Sequence, residues 1–298
     1  MAWKARQMGS AGEVVQAYVT AQVERLIAAV PGVRDGDDDA VHDARVATRR
    51  LRAALSVYRP VLDRSVSDPV RDELAELGHV LGEARDAYVE GHALRRRLVH
   101  EDPALVVGPV EQRVDEDRSA ARLSAQDRVD AWLASARFDE LVATLVRDLP
   151  TGPRASRPAA TFLPRRARRA WDRLDRALEV AAAVDPGEDR DEALHEVRKA
   201  ARRARYASEV AEAVVGAPAR RSARRAHRVQ EVLGAQHDAV TRQETLRRLA
   251  RQADLDGEST FTYGRLHALE QRAGEAARDA AEKPLRRAAR RGHRRWMR

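Results

Sequence analysis

An eighteen-residue segment recurs without a gap half a chain later, and this limits the protein to folds built from two copies of one unit. VHDARVATRRLRAALSVY, starting at Val41, aligns with LHEVRKAARRARYASEVA, starting at Leu194, at 8 of 18 positions, one His and four Arg among them. A second pair, LGEARDAYV from Leu81 and LGAQHDAVT from Leu233, follows in the same order at almost the same offset. Two ordered matches point to duplication, and 298 residues suffice for two units of ordinary domain size. The stretch at 149–161, with Pro150, Pro153, Pro158 and Gly152, interrupts the helical pattern, so the expected halves are 1–150 and 151–298.

The repeated unit is expected to be all-α. Apolar residues make up 43% of the chain but aromatics only 4%, so Ala, Leu and Val must fill the interior, which suits closely packed helices. Apolar periodicity predicts four helices per half: 10–30, 39–63, 66–100 and 109–148, then 161–184, 189–215, 217–252 and 258–292. Both repeated helices follow acidic residues, Asp37 to Asp39 and Glu188-Asp189 with Asp191-Glu192, which favour a helix N-terminus by capping and by opposing the dipole. Breaks at Pro31-Gly32, Pro103, Pro186-Gly187 and Gly216 to Pro218 fit short bundle turns.

Net charge is +8, yet 55 basic residues accompany 47 acidic ones, so placement matters more than the excess. At about 100° per residue, His42, Arg45, Arg49 and Arg52 fall within an arc of roughly 80° on the first repeated helix, with Arg50 at its edge. Val41, Ala44, Ala47, Thr48, Leu51, Leu55 and Tyr58 form the opposite, packing side. In the second copy His195, Arg198, Arg202 and Arg205 reproduce the stripe, Lys199 and Arg203 widen it, and Leu194, Val197, Ala201 and Ala204 pack. Neither stripe contains an acid; Asp43 and Glu196 sit just off them. Like charges three and four residues apart cost a helix a few tenths of a kcal/mol per pair, a cost that a bound anion removes. Arginine's fork of donors grips phosphate oxygens in bidentate fashion and keeps its charge. A His beside phosphate gains a proton; each His is equally open to a hydrogen-bonded structural role.

These residues resemble the CHAD domain (conserved histidine α-helical domain). Its signature is similar to H-x-x-R-x-x-x-R-R on one helix and L-G-x-x-R-D on the next, matched by His42, Arg45, Arg49 and Arg50 with Leu81, Gly82, Arg85 and Asp86. The second copy has His195, Arg198, Arg202 and Arg203, then Leu233, Gly234, His237 and Asp238, where His237 departs from the pattern. The resemblance implies two four-helix bundles related by a pseudo-twofold axis around a basic central groove or cavity that binds inorganic polyphosphate. Family members are often joined to triphosphate-handling proteins; no region of alternating Glu with a nearby Lys occurs here, so a stand-alone binding module is expected.

Further basic clusters, Arg165, Arg166, Arg168 and Arg169 and then Arg220, Arg221, Arg224, Arg225 and Arg228, are candidates to extend the groove, Arg224 and Arg228 first. The eight Lys and Arg between Lys283 and Arg298 form either a phosphate-binding extension or a free basic tail. Asp86 and Asp238 are expected to orient arginines rather than to catalyse, and Gly82 and Gly234 to permit close approach.

Several function classes recede. There is no cysteine, hence no thiol nucleophile, disulfide or Cys-ligated zinc. No H-E-x-x-H motif or repeated carboxylate set points to a metal or to hydrolysis, so a non-enzyme without cofactors is expected. No apolar run reaches the roughly 20 residues of a membrane span and the start lacks a secretion signal, so a cytoplasmic protein without a membrane partner is expected, with polyphosphate granules as one place for it. Nucleic acid is the alternative ligand, because backbone phosphates attract the same cations. Its single-strand readers add aromatic platforms, whereas the 12 aromatics here are scattered.

Overall fold

The computed structural model describes residues 9–185 and 187–298, Glu188 by its backbone alone. Pro186, the Glu188 side chain and residues 1–8, which figured in the expected turn, acidic lead and chain start, lie outside the described residues. The chain is all-α: α1 Ala11–Arg34, α2 Asp38–Val57, α3 Arg64–Val99, α4 Val110–Leu133, α5 Ala136–Val146, α6 Ala159–Ala183, α7 Glu188–Val215, α8 Ala217–Leu255 and α9 Phe261–Ala289, with a closing 3-10 turn at Arg291–Met297. Among the described residues, extended pairing is confined to the isolated bridges Ser10 with Pro158 and Leu62 with Thr151.

One expected helix is two. The 109–148 segment breaks after Leu133 because the Ser135 hydroxyl accepts the Phe138 N–H at 3.4 Å and starts α5 afresh. The acidic leads also differ. Asp37 caps α2 by accepting the Asp39 N–H at 3.0 Å. The cap of α7, however, is Gly187, with no side-chain bond. Asp191 is drawn instead into tertiary bonds from Gln236 on α8 and Arg278 on α9, both at 2.9 Å.

Consecutive helices pack as neighbours from α1 to α5 and again from α6 to α9, and α2 packs across the duplication against α7. Their alanines allow this: Ala44, Ala47 and Ala54 on α2 and Ala204, Ala207 and Ala211 on α7 are all buried. The core around α1 to α3 takes in Leu163, Ala167 and Ala170 of α6 and Ala207, Val210 and Val214 of α7, so the halves share one interior here. Tyr58, fully buried, donates its hydroxyl to the Ala207 carbonyl at 2.7 Å and ties the crossing.

The halves meet again at their far tips. Leu94, Leu98, Val110 and Val114 pack with Leu246, Leu249, Tyr263 and Leu266. There Glu270, only 1% exposed, accepts from Arg97 of α3 at 2.9 Å and Arg242 of α8 at 2.8 Å. The Pro- and Gly-rich connector is strapped to the first half: Asp63 N–H donates to the Pro150 carbonyl at 2.7 Å and Gly152 N–H to Val61 at 2.8 Å. A Cβ at position 152 would lie 2.4 Å from the Leu62 carbonyl oxygen, so the strap requires glycine.

Candidate polyanion-binding site

The packing side of α2 is buried as its pattern predicts, from Val41 through Tyr58, and Val197, Ala201 and Ala204 do the same on α7. The packing of α2 across α7 then brings arginines of the two stripes together. Burial lowers the Arg49 pKa, and the nearby charges of Arg45, Arg205 and Arg198 lower it further. Burial, then Arg49 and Arg198, push Arg202 down to about 10. Guanidinium groups from both copies therefore form one electrostatic cluster. Among the described residues, Arg49, Arg52, Arg198 and Arg202 have no carboxylate within ion-pair distance, and the buried Arg49 Nε has no hydrogen-bond partner.

The open mouth of this cluster is a cavity of about 450 Å³ between α2, α3 and α7. Arg49, Arg52, Arg71, Lys199, Arg202 and Arg203 line it, with Ser56 and a single acid, Asp72. Arg71 was not legible as a site residue, because it lies on α3 outside both stripes and only the packing of α3 against α2 brings it there. It is partly held by Asp68 and Asp72.

The remaining expected residues are distributed around this centre. Arg45 donates to Asp86 at 2.9 Å, the orienting role foreseen for that carboxylate. Arg85 lies over the Tyr88 ring and reaches the Asp38 carbonyl at 3.4 Å. A Cβ at Gly82 would lie 3.9 Å from the Arg45 guanidinium, and one at Gly234 3.7 Å from that of Arg198, so each glycine lies beneath the equivalent arginine of its own copy. Arg50 and Arg205 turn to a different flank, where both bind Glu209 and line a second cavity with Arg224. Lys199 pairs with Glu196 and Arg228 with Glu231 on the exposed surface.

His42 and His195 are exposed, with Asp43 and Glu196 as their acidic neighbours. Partial burial, then Arg85 for His42 and Lys199 for His195, holds both below the ordinary histidine range. An anion beside either ring would oppose that shift and favour its protonated form.

On α3 the surroundings are acidic. Glu90 is pushed up to about 7 by burial first, then by Asp86, with Asp238 and Asp117 adding and Arg242 opposing. A carboxylate pKa raised above its unfolded value favours the folded state while protonated, so this contribution is present below about pH 4.5 and lost as pH rises through 7. Glu90→Gln is expected to stabilise the protein at pH 8 by about 1 kcal/mol, discounted for solvent screening, and scarcely at pH 4; melting curves at both values check this.

The other basic clusters separate in the same way. Arg166 gives two hydrogen bonds to the Val57 carbonyl and, with Arg165 and Arg169, lines a cavity of about 290 Å³ beside Arg154 and Arg157. The C-terminal basic stretch is docked. Arg294 is 8% exposed, chelates Asp175 at 2.6 and 2.7 Å, and stacks on Trp171 at 4.4 Å. Among the described residues no cluster of His, Asp or Glu could hold a metal, and no helix is long and apolar enough to cross a membrane.

Similar proteins share this architecture. A Streptomyces chartreusis structure titled PptA superposes with a TM-score of 0.76 at 24% identity, covering 93% of this chain and 100% of that one. The CHAD domain from the plant Ricinus communis superposes at 0.67 and 22% identity, covering 96% of each. Both likenesses concern the fold. Uncharacterised proteins of two Mycobacterium tuberculosis strains, CDC 1551 / Oshkosh and ATCC 25618 / H37Rv, are each 36% identical over 276 residues, 91% of this chain. That stretch is 52% of their own length, so the chain spans about half of these curated relatives. The sequence profile described as "CHAD domain" matches residues 17–247, which takes in both copies of the arginine helix. With the duplicated helices meeting at their cationic faces, and a profile covering most of the sequence, the chain belongs to the CHAD domain family.

Proposed function

We propose that the protein binds linear inorganic polyphosphate without catalysing a reaction on it, and that the α2–α7 crossing is the binding site. Polyphosphate binding is a known role of the family. The observation that carries the reading for this chain is the pair Arg49 and Arg202: half-buried cations from equivalent positions, crowded by like charges and without carboxylate partners. Keeping charge where burial and neighbours oppose it lowers stability, and a site of this kind is retained for a ligand that reverses the cost.

Phosphates in a chain fit this arrangement. Each supplies oxygens to the guanidinium forks, and successive units carry the ligand from the open cavity along the stripes toward Arg45 and Arg198. His42 and His195 add charge by protonating beside the ligand. The two together suit a repetitive polyanion better than a single phosphate, and storage granules of the polymer would hold the protein by the same contacts.

Affinity is expected to rise steeply from tripolyphosphate to long chains as more contacts form on one ligand. Its logarithm should fall with the logarithm of salt with a slope of about −3.5 to −4.5, one counterion for each of Arg49, Arg52, Arg198, Arg202 and Arg203, the arginines of the site without a carboxylate partner among the described residues. Titrations with chains of defined length at several salt concentrations check both; length-independent affinity would remove the proposed track. Competition at matched phosphate concentration against duplex DNA and single-stranded RNA discriminates the ligands, and nucleic acid winning would make it the ligand instead.

A further inference from the structure

Among the aligned positions at which the two copies differ, one sets an acid among the arginines of the crossing: Ser56 in the first is Glu209 in the second. In the same alignment Arg52 corresponds to Arg205 and Arg50 to Arg203. The two cavities of about 450 Å³ flanking the crossing use these equivalents. One holds Arg52, Arg203 and Ser56; the other holds Arg205, Arg50 and Glu209. At these three aligned positions they are one pocket built twice, with a hydroxyl in the first and a carboxylate in the second, while Asp72 lines the first elsewhere and Glu212 the second.

The carboxylate is firmly seated. Glu209 Oε1 accepts from Arg205 Nε at 2.8 Å, and its Oε2 accepts from Arg50 Nε at 3.1 Å and from the Tyr18 hydroxyl at 3.4 Å. Two oxygens of one acid gripping two guanidinium groups is the arrangement a bound phosphate would make. At the equivalent place in the first pocket, Arg203 has only the Ser56 hydroxyl, at 3.4 Å, and Arg52 has no acid within ion-pair distance.

We propose that Glu209 is a built-in anion that closes the second of two equivalent phosphate pockets, so that polyphosphate engages the crossing from one side only. This rests on the polyphosphate reading and adds to it a direction and a limit on site length. Arg205 lies within electrostatic reach of Arg49, so the closed pocket adjoins the central cluster and would extend the track if its cations were released.

The test compares equivalent substitutions in the full chain, with polyphosphate of defined length as the probe. Arg52→Ala and Arg203→Ala are expected to weaken long-chain binding about tenfold each, whereas Arg205→Ala and Arg50→Ala change it by less than about twofold. Glu209→Ser is expected to tighten long-chain binding about tenfold while leaving tripolyphosphate, which the open pocket already accommodates, nearly unchanged. Glu209→Gln keeps the hydrogen-bonding shape without the charge and should move affinity the same way by a smaller factor. Equal losses at Arg52 and Arg205, or weaker binding after Glu209→Ser, would overturn the proposal and make Glu209 a group that positions ligand-binding arginines. The alanine comparison decides the matter even if the Glu209 variants fold poorly. A wild-type protein that binds no polyphosphate at any length would instead sink the reading beneath it.

Discussion

Replacing Arg49 and Arg202 together by Glu is expected to lower affinity for long-chain polyphosphate about a thousandfold, since each arginine supplies charge-assisted bonds of about 2 kcal/mol. The new carboxylates also repel the chain, which adds to the loss. Folding should survive, because each Glu lies near cations that now repel one another: Arg45, Arg198 and Arg205 beside position 49, Arg198 and Arg45 beside position 202. Calorimetric titration read beside circular dichroism separates the two effects. A double variant that is fully helical and binds as before would move the site away from the crossing, with the cavity lined by Arg154, Arg157, Arg165 and Arg169 as the next place to look.

Glu270→Ala is expected to cost about 3 kcal/mol, the largest stability loss from a single side chain outside the apolar core. The carboxylate is buried and serves Arg97 and Arg242 at once; its removal leaves two guanidinium groups facing each other, with Arg242 only 14% exposed. Chemical unfolding measures the loss, and Glu270→Gln, which keeps an acceptor, should recover part of it. Because this residue joins α3 and α8 from its place on α9, the variant should also weaken polyphosphate binding by loosening the halves. A stability change below about 0.5 kcal/mol would show that the apolar contacts around Leu94 and Leu246 suffice to hold the tips.

Much of this was legible from the repeat. The packing faces of α2 and α7 follow from helical periodicity, but periodicity does not say which helices cross, so a groove shared by the two arginine stripes was expected only from the resemblance to the CHAD domain. Partner choice was not legible. Arg50 and Arg205 are indistinguishable from Arg49 and Arg202 by residue type and spacing, and only the position of Glu209 separates neutralised from free. Arg71 was missed because helix-by-helix projection carries no information about which neighbour leans over a groove. Glu270 was missed for the same reason: its partners lie 173 and 28 residues away. The Ser135 break was hidden inside a continuous helical pattern, where one serine looks like any other polar position.

Two separated joints, Tyr58 to Ala207 at the crossing and the Glu270 cluster at the tips, tie the two halves of the chain together and oppose hinging between them. On the proposed reading their cations are spaced in advance, like rungs nailed to a frame, and adaptation would fall to the polymer, whose internal rotations must match that spacing. Most of the ordering entropy of association would then belong to the ligand, so a stiff polyanion of the wrong pitch is expected to bind weakly even when its charge is sufficient.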